Sequence, residues 1–494
     1  MDWTSTAQGN ATLNCFETPL AQCQFGVHRC DITLPENIYH HMWGAATHDQ
    51  AEGIHQPLTA TAVVLQSHGT DSLPLVLVAL DHCILLAPEM SALTERICND
   101  HQLTPDQLVI NFSHTHAAGL LDPDFSEQPG GELILPYLEG MYSKISAAVE
   151  KAYQNTSTAN LTYGTGHCSL ATNRDFWDEK HKIFVCGFNP TGSADKTVLV
   201  IRVSNPQGEP IATLVNYACH PTSLAWDNRL ISPDYPGMMR TVVEKETGVP
   251  CIFLQGASGD VGPQRGYSGD TQVAEKNGRQ LGFAVLETWE SLPPPATQML
   301  YAGPVVSGAT LGTWEDVPLT KTELDGKSHW SSWHKTLELP YLPSLPTLDS
   351  LTRDVKKWQE IRRAALKQGR DLEARDAHAE LERSRRWLSR LSTLPTGDCY
   401  PYQIHLWRIG DGVWIALQGE PYNVLQTTLR ERFPETPLIV STLSAGSFPV
   451  YLPTRDTYGQ GIYQESIALL DAGCLETVID AVGDGIGELM SQST

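Results

Sequence analysis

Short apolar runs rich in β-branched residues recur along the chain, and each is typical of a strand buried on both faces. They span residues 59–66, 74–81, 107–113, 198–204, 211–218, 250–256, 413–419 and 437–444. Between them lie stretches with apolar residues at intervals of three and four, which predict helices over 88–101, 134–154, 272–292, 420–433 and 465–490. Strands that alternate with helices predict an α/β fold, a layered α/β/α domain built on a mixed sheet.

One segment departs from this rhythm. Residues 304–348 are rich in Pro and Trp with little periodicity, whereas 349–394 are densely charged and helical, with Gly369 near the middle. We interpret 304–398 as an inserted loop plus a helical hairpin, and 20–303 with 399–494 as the main domain. Because long loops are often functional lids, we expect this segment to control substrate access. A hairpin that only packs on the surface, or forms a dimer contact, is the alternative.

The composition of the chain argues against nucleic-acid binding and against a transmembrane segment. The 494 residues include 34 Lys and Arg against 57 Asp and Glu, a net charge of −23 that would repel nucleic acid. No apolar run reaches the ~20 residues of a membrane span, and the start lacks the features of a signal peptide. We therefore expect a cytoplasmic protein with no transmembrane segment. Eleven cysteines without a CxxC pair predict reduced thiols, and nothing indicates the oligomeric state.

Polar residues capable of chemistry follow the ends of several predicted strands. His114 and His116 follow one run, His220 follows another, residues 256–260 follow a third, and Glu420 follows a fourth. In open α/β sheets, the carboxyl ends of the strands line the ligand crevice. We therefore expect these separate segments to converge on one site.

Two histidine segments and one carboxylate suit an open zinc site, although ordinary hydrogen-bonded histidines would give the same pattern. The GEP sequence at 419–421 predicts that Glu420 stands at a helix N-terminus, where the dipole stabilises a carboxylate or the side chain simply caps the helix. The glycines of GASGDVGP at 256–263 are typical of an oxyanion loop, without a Walker lysine or GxGxxG spacing. This makes Gly256, Ser258 and Asp260 candidates for substrate binding.

These fragments also share a family resemblance. The chain resembles the neutral (non-lysosomal) ceramidase family in a series of motifs that occur in the same order. They are FGVHRCDIT (25–33), SHTHAAG (113–119), TNRDF (172–176), NYACHPTSL (216–224), SPDYPG (232–237), FLQGASGDVGPQ (253–264), LQGEPYNVLQTTLRERF (417–433) and FPVYLPTRDTYGQGIYQES (448–466). The resemblance covers most of the chain between about 25 and 470, apart from the insertion.

The resemblance implies a zinc-dependent amidase that cleaves the N-acyl bond of ceramide or a similar lipid-like amide. Carried over position by position, it implies that zinc is held by His114, His220, Glu420 and Tyr451. It also implies that His116, Arg174 and Tyr463 bind and polarise the amide. A zinc ion lowers the pKa of water to about 7, so a zinc-activated water is the expected nucleophile.

Two departures from the family pattern modify these expectations. Gly256 stands where the family has a serine, and Ser258 lies two positions later, so we expect no serine nucleophile. The immunoglobulin-like C-terminal domain, secretion signal and anchor of typical ceramidases are not expected here. A small polar amide, ester or sugar-linked substrate is therefore the first alternative to a lipid. A non-catalytic metal-binding or ligand-binding homologue is the second.

Overall fold

A computed structural model describes residues 14–69, 73–444 and 449–491. Within these ranges, nine α-helices form: α1 (Ala87–His101), α2 (Ile134–Gln154), α3 (Asp234–Thr247), α4 (Thr271–Ser291), α5 (Lys321–Gly326), α6 (Leu348–Lys367), α7 (Asp371–Ser392), α8 (Val424–Arg432) and α9 (Cys474–Ser491). None of these helices is long and apolar enough to cross a membrane. The eleven cysteines are all free thiols, as predicted.

The larger sheet contains all six strands predicted between residues 59 and 256. In spatial order it consists of Cys251–Gln255, Pro210–Tyr217, Thr197–Ser204, Ser157–His167, Leu20–Asp31, Thr59–Gln66, Leu75–Leu80 and Leu108–Phe112. The pair at each edge is parallel, and the strands between them pair antiparallel. The parallel edge pairs matter because the strands that lead into the predicted histidines lie there.

A second, four-stranded sheet is formed by the last third of the chain. Its spatial order is Trp330–Pro340, Cys399–Ile409, Gly412–Leu417 and Leu438–Ser441. The first two pairs are antiparallel and the last pair is parallel. The two apolar runs predicted after residue 412 are therefore neighbouring strands of this sheet.

The two sheets pack face to face. Phe25, Leu77 and Leu214 of the larger sheet share one buried cluster with Trp407 and Trp414 of the smaller sheet. Helices α1 to α4 cover the outer face of the larger sheet, and α8 and α9 cover the outer face of the smaller one. The predicted α/β fold with outer helical layers is confirmed, and the β-layer between the helices is two sheets thick.

Short strand pairs connect the loops around these sheets. They are Gly53–Ile54 with Leu230–Ile231, Ala171–Asn173 with Val261–Pro263, Asp175–Asp178 with Ile183–Cys186, and Glu420–Pro421 with Tyr451–Leu452. A separate ribbon joins Cys15–Glu17, Thr297–Ser307 and Ala309–Pro318.

The structure revises the secondary structure expected within 304–398. The helical hairpin is confirmed as α6 and α7, and Gly369 takes a left-handed conformation (φ 65°) at the turn between them. The expected loop is instead largely strand. The sequence did not indicate these strands, because the ribbon after residue 297 is solvent-exposed and has no apolar face. Strand Trp330–Pro340 lies at the edge of the second sheet. The division into a main domain and an insertion stays a prediction.

Two helix boundaries were also wrong. Glu420 is not at a helix N-terminus: it lies in a two-residue strand paired with Tyr451, and α8 begins only at Val424. The last helix begins at Cys474 and not at 465, because Gly473 has φ 98° and precedes it with non-helical backbone. The helical spacing of apolar residues extends beyond both boundaries, so the sequence predicted helices that were too long.

Candidate metal centre

Two buried asparagines bring the ends of strands from both sheets together. The Asn111 side chain accepts a hydrogen bond from the backbone of Gln255 (3.0 Å) and donates one to the carbonyl of Thr442 (2.8 Å). The Asn216 side chain exchanges two hydrogen bonds with the backbone of Val440 (2.8 and 3.0 Å). Buried amides are costly unless they are paired, so these bonds fix the register between the sheets. The loops that follow these strands consequently meet at one place.

His114 is held by an unusual backbone conformation and by a hydrogen bond to a carbonyl. Its φ of 66° lies in the left-handed region, which non-glycine residues rarely adopt outside turns and functional sites. Its Nδ1 lies 2.8 Å from the carbonyl oxygen of Cys83. A carbonyl oxygen only accepts, so Nδ1 must carry the proton and the neutral ring leaves a lone pair on Nε2.

His220 is oriented in the same way from another loop. Its Nδ1 lies 3.3 Å from the carbonyl oxygen of Ser258, so its Nε2 also presents a lone pair when the ring is neutral. The Nε2 atoms of His114 and His220 are 3.1 Å apart. Two lone pairs at this distance repel each other unless a proton on one ring or a metal ion lies between them.

A carboxylate completes this group. Glu420 Oε2 lies 3.3 Å from His114 Nε2 and 3.8 Å from His220 Nε2, and it is a buried oxygen without a hydrogen-bond partner among the described residues. Two imidazoles and one carboxylate are the donor set of an open zinc site. A second group, Cys83 with His114 and His116, fits less well, because His114 Nδ1 is already directed at the Cys83 carbonyl.

Tyr451 and Arg174 lie beside the carboxylate. The short parallel strand pair sets Tyr451 opposite Glu420. Arg174 Nη2 donates to the Tyr451 hydroxyl (2.9 Å) and to the carbonyl oxygen of Gly259 (2.7 Å). All these side chains are buried. The Arg174 guanidinium therefore fixes the Tyr451 hydroxyl next to the candidate metal ligands.

His116 and Tyr463 lie on the more open side. His116 Nε2 is 3.2 Å from His220 Nε2, and its ring packs against Trp43 with 5.2 Å between ring centroids. The Tyr463 ring lies 6.0 Å from that of Tyr451, and half of its surface (50%) is exposed. The structure thus brings together all seven residues predicted as ligands or as polar groups beside the metal. Their individual roles stay predictions.

The loop at 256–260 supports this group from behind. The Ser258 hydroxyl accepts a hydrogen bond from Gln255 Nε2 (2.6 Å), and the Asp260 carboxylate accepts one from the backbone of Asn423 (2.6 Å). A side chain at Gly256 would meet Gln426 and Ala218 at 2.9–3.0 Å. None of these three residues points a side chain at the candidate metal ligands. The loop contributes the carbonyls that orient His220 and Arg174, and substrate contact by Gly256, Ser258 and Asp260 stays a prediction.

Burial and neighbouring charges set the protonation of the site. Burial, with Arg174 and His114, lowers the pKa of His220 well below its usual value, and burial with His114 does the same for His116. Both rings are therefore neutral at pH 7. Burial lowers the pKa of His114, but Cys83 and Glu420 outweigh it and raise that pKa well above its usual value. Burial raises the pKa of Glu420, but the neighbouring His114 outweighs it, and the pKa is lowered. The carboxylate is therefore ionised, as a metal ligand must be.

Several residues that shape the site escaped the sequence interpretation. Cys83 orients His114 through its backbone, Trp43 packs on His116, and Gln464 donates to the carbonyl of Gly259 (3.1 Å). The backbone role of Cys83 leaves no trace in the sequence. Trp43, in the histidine-rich stretch 40–48, and Gln464, beside Tyr463, could have been noticed from their positions. Neither adds a metal ligand.

The amino-acid sequence is similar to those of known proteins. The sequence profile described as "Neutral/alkaline non-lysosomal ceramidase, N-terminal" matches residues 23–270. Neutral ceramidase B of Dictyostelium discoideum is 24% identical over 287 residues, which are 52% of this chain and 38% of that protein. The match thus spans little more than a third of that relative's length.

Solved structures show the same fold. The crystal structure of neutral ceramidase from Pseudomonas aeruginosa is similar with a TM-score of 0.64 and 16% identity, over 95% of this chain and 74% of that one. A ceramidase complexed with C2 is similar with a TM-score of 0.66 and 15% identity, over 96% and 76%. The family profile covers half of the 494 residues and includes His114, His116, Arg174 and His220. The chain therefore belongs to the neutral/alkaline non-lysosomal ceramidase family.

Proposed function

We propose that this chain is a zinc-dependent hydrolase that cleaves an N-acyl carboxamide bond, in a ceramide-like lipid or a related amide. Family membership supports amide hydrolysis, and the relatives that are similar over the whole fold are ceramidases. The observation that carries the proposal is the convergence of three ligand side chains, His114, His220 and Glu420, whose ligand atoms all lie within 4.8 Å of one another.

These residues fit a zinc ion in number and in chemistry. His114, His220 and Glu420 would hold it, with the Tyr451 hydroxyl beside Glu420 as a further ligand. The hydrogen bonds from the histidine Nδ1 atoms to carbonyls are the support that metal-binding histidines generally have. When bound, zinc acts as a Lewis acid that lowers the pKa of water and polarises a carbonyl oxygen.

The remaining residues handle protons and charge. His116 is neutral at pH 7 and borders the lone pairs, so it can accept a proton from water as the oxygen attacks the amide carbon. Burial raises the pKa of Tyr463, although Arg390 opposes this, so its hydroxyl keeps a proton to donate. Arg174, fixed by Tyr451 and Gly259, places a positive charge near the negative charge that develops on the carbonyl oxygen.

No serine nucleophile is needed in this proposal. The Ser258 hydroxyl is buried and held by Gln255, and no described histidine contacts it as a base. A nucleophilic serine generally requires such a base within hydrogen-bond reach. Attack by water, with the proton passing to the departing nitrogen, accounts for cleavage of the C–N bond.

The experiment is a hydrolysis assay with the full chain after chelation and after addition of metal. An N-acyl sphingosine and a short, soluble N-acyl amine serve as substrates, and release of the free amine is measured. We expect no activity after chelation and recovery with one equivalent of zinc but not with Mg²⁺ or Ca²⁺. Full activity in the chelated protein, or no hydrolysis of any amide with zinc present, would contradict the proposal.

A further inference from the structure

A cavity lies next to the metal centre on the side of the helical hairpin. Its volume is about 420 Å³, which is within the range of small-molecule pockets. Its walls include Arg383, Arg386 and Arg390 of α7, together with Gly44, Tyr463 and Ile467.

The cavity borders the residues of the proposed reaction. Tyr463 belongs both to the cavity wall and to the group around Tyr451. Gly44, another residue of the wall, follows Trp43, whose ring packs on His116. Arg386 ties α7 to this region, because its Nη2 donates to the carbonyl oxygen of Met42 (2.9 Å). A ligand in the cavity would therefore reach the reacting groups.

Three arginines at spacings of three and four lie on one face of α7 and point positive charge at this cavity. The one acidic residue of the wall, Glu382, pairs with Arg385 through Oε1 at 3.2 Å, whereas its Oε2 is buried without a hydrogen-bond partner among the described residues. A positive pocket is unexpected in a chain with a net charge of −23. The charge of the cavity is therefore a local property of the helix, and not of the surface as a whole.

These arginines also lack the carboxylate partners that other arginines of this fold have among the described residues. Arg29 pairs with Glu244 at 2.6 Å, and Arg240 makes two hydrogen bonds with Asp81 at 2.6 and 2.9 Å. In contrast, the guanidinium group of Arg390 makes no ion pair or hydrogen bond with any residue that the structure describes. The buried Nε of Arg386 has no acceptor either. Partly buried guanidinium groups that make no ion pair are costly, and a ligand anion would compensate them.

We infer that the hairpin cavity binds an anionic group of the substrate through Arg386 and Arg390, so that the preferred amide is a negatively charged N-acyl compound. This inference rests on the proposed amidase function and specifies its substrate class. The planar guanidinium fork suits carboxylate, sulfonate or phosphate oxygens. Ile467 and the ring of Tyr463 provide an apolar wall for the rest of the molecule.

The test uses a series of N-dodecanoyl amides that differ in the amine: glycine (carboxylate), taurine (sulfonate), phosphoethanolamine (phosphate) and neutral ethanolamine. The ethanolamide of dodecanedioic acid carries the charge at the acyl end. We expect the zinc-loaded protein to cleave at least one charged amide with a kcat/KM about 30-fold above the neutral amide, as a hydrogen-bonded charge pair would give. The preferred member identifies the anion and the end that carries it.

Arginine variants connect this preference to the cavity. Arg390→Met and Arg386→Met keep most of the side-chain volume and should reduce the charged-to-neutral ratio to near one, mainly through KM. Arg375→Met, on the exposed side of α7 beside Asp376, is the matched control and should keep the ratio. Zinc content and thermal unfolding identify any variant that has lost its fold. An unchanged ratio in both folded cavity variants would overturn the inference.

Binding separates failure of this inference from failure of the proposed function. Calorimetric titration of the chelated protein with the same amides involves no hydrolysis. Selective binding of a charged amide, lost in Arg390→Met, supports the cavity even if no amide is ever cleaved. If neutral and charged amides are cleaved and bound equally well, the inference is wrong although the amidase function stands.

Discussion

Two regions of this molecule meet at the candidate site and differ in nearly every physical respect. The floor consists of His114, His220, Glu420, Tyr451 and Arg174, all buried and fixed by backbone carbonyls or by each other. The rim consists of Arg383, Arg386 and Arg390, of which Arg383 is exposed and the other two are partly buried. Hydrogen bonds within the protein position the side chains of the floor, whereas the guanidinium groups of the rim have no carboxylate partner among the described residues.

This difference separates reaction from selection. A metal centre needs ligands held in one geometry, and the floor supplies this from loops that two sheets and two buried asparagines bring together. Substrate selection needs groups that remain free to pair with a ligand, and a helix of the hairpin supplies them. Changes in the floor should therefore abolish turnover, whereas changes in the rim should alter which substrate is preferred.

The largest effect should come from removing a ligand in the floor. His220→Ala should lower kcat/KM by at least about 10³-fold, roughly 4 kcal/mol in the barrier, because the remaining donors no longer hold the metal. Steady-state assay with added zinc measures this. His101→Ala, a histidine on α1 outside the site, is the control. Activity of His220→Ala within tenfold of wild type would show that the floor is not the reaction centre.

A somewhat smaller effect is expected for Arg174→Met. Removal of one hydrogen-bond donor that stabilises a developing oxyanion typically lowers kcat by about 10²- to 10³-fold. Here the substitution also removes the hydrogen bond that Arg174 donates to the Tyr451 hydroxyl. The loss should fall on kcat, with zinc still bound, and Arg174→Lys should recover part of it. A change confined to KM would contradict this role and would show that Arg174 acts in substrate binding, as we propose for the rim.

Stability should fall with acid because of a buried histidine beneath the floor. Burial lowers the pKa of His82 from 6.5 to about 4. The unfolded chain therefore binds more protons between these values, so stability is complete above about pH 6.5 and decreases as the pH falls toward 4. The full effect is roughly 3 kcal/mol. Urea unfolding at pH 7 and pH 5 measures it, and His82→Gln should reduce the difference between the two; identical differences in both proteins would exclude His82 as the cause.

The smallest effect is expected for Ser258→Ala. The hydroxyl only accepts a hydrogen bond from Gln255 behind the floor, so kcat/KM should stay within about tenfold, ~1.4 kcal/mol. Mass spectrometry during turnover should show no acyl group on the protein. An acyl-enzyme at Ser258, or loss of activity comparable with His220→Ala, would make this loop part of the reacting floor.

The sequence predicted the floor far better than the rim. The eight apolar runs gave eight strands, and His114, His220 and Glu420 follow the ends of three of them. Arg174 and Tyr451 were predicted only by the resemblance to family motifs. The rim escaped because Arg386 and Arg390 resemble the other charged residues of an exposed helix until the packing of α7 is known. The ribbon after residue 297 escaped for a similar reason, since exposed strands have no apolar alternation.

Zinc content is the most direct test of the central claim, that His114, His220 and Glu420 hold a metal ion. The purified chain, its His220→Ala variant and its His116→Ala variant are chelated, reconstituted with zinc, dialysed and measured by inductively coupled plasma mass spectrometry. The account predicts one zinc per chain in wild type and in His116→Ala, and almost none in His220→Ala. Less than about 0.2 zinc per wild-type chain, or full zinc content in His220→Ala, would contradict it.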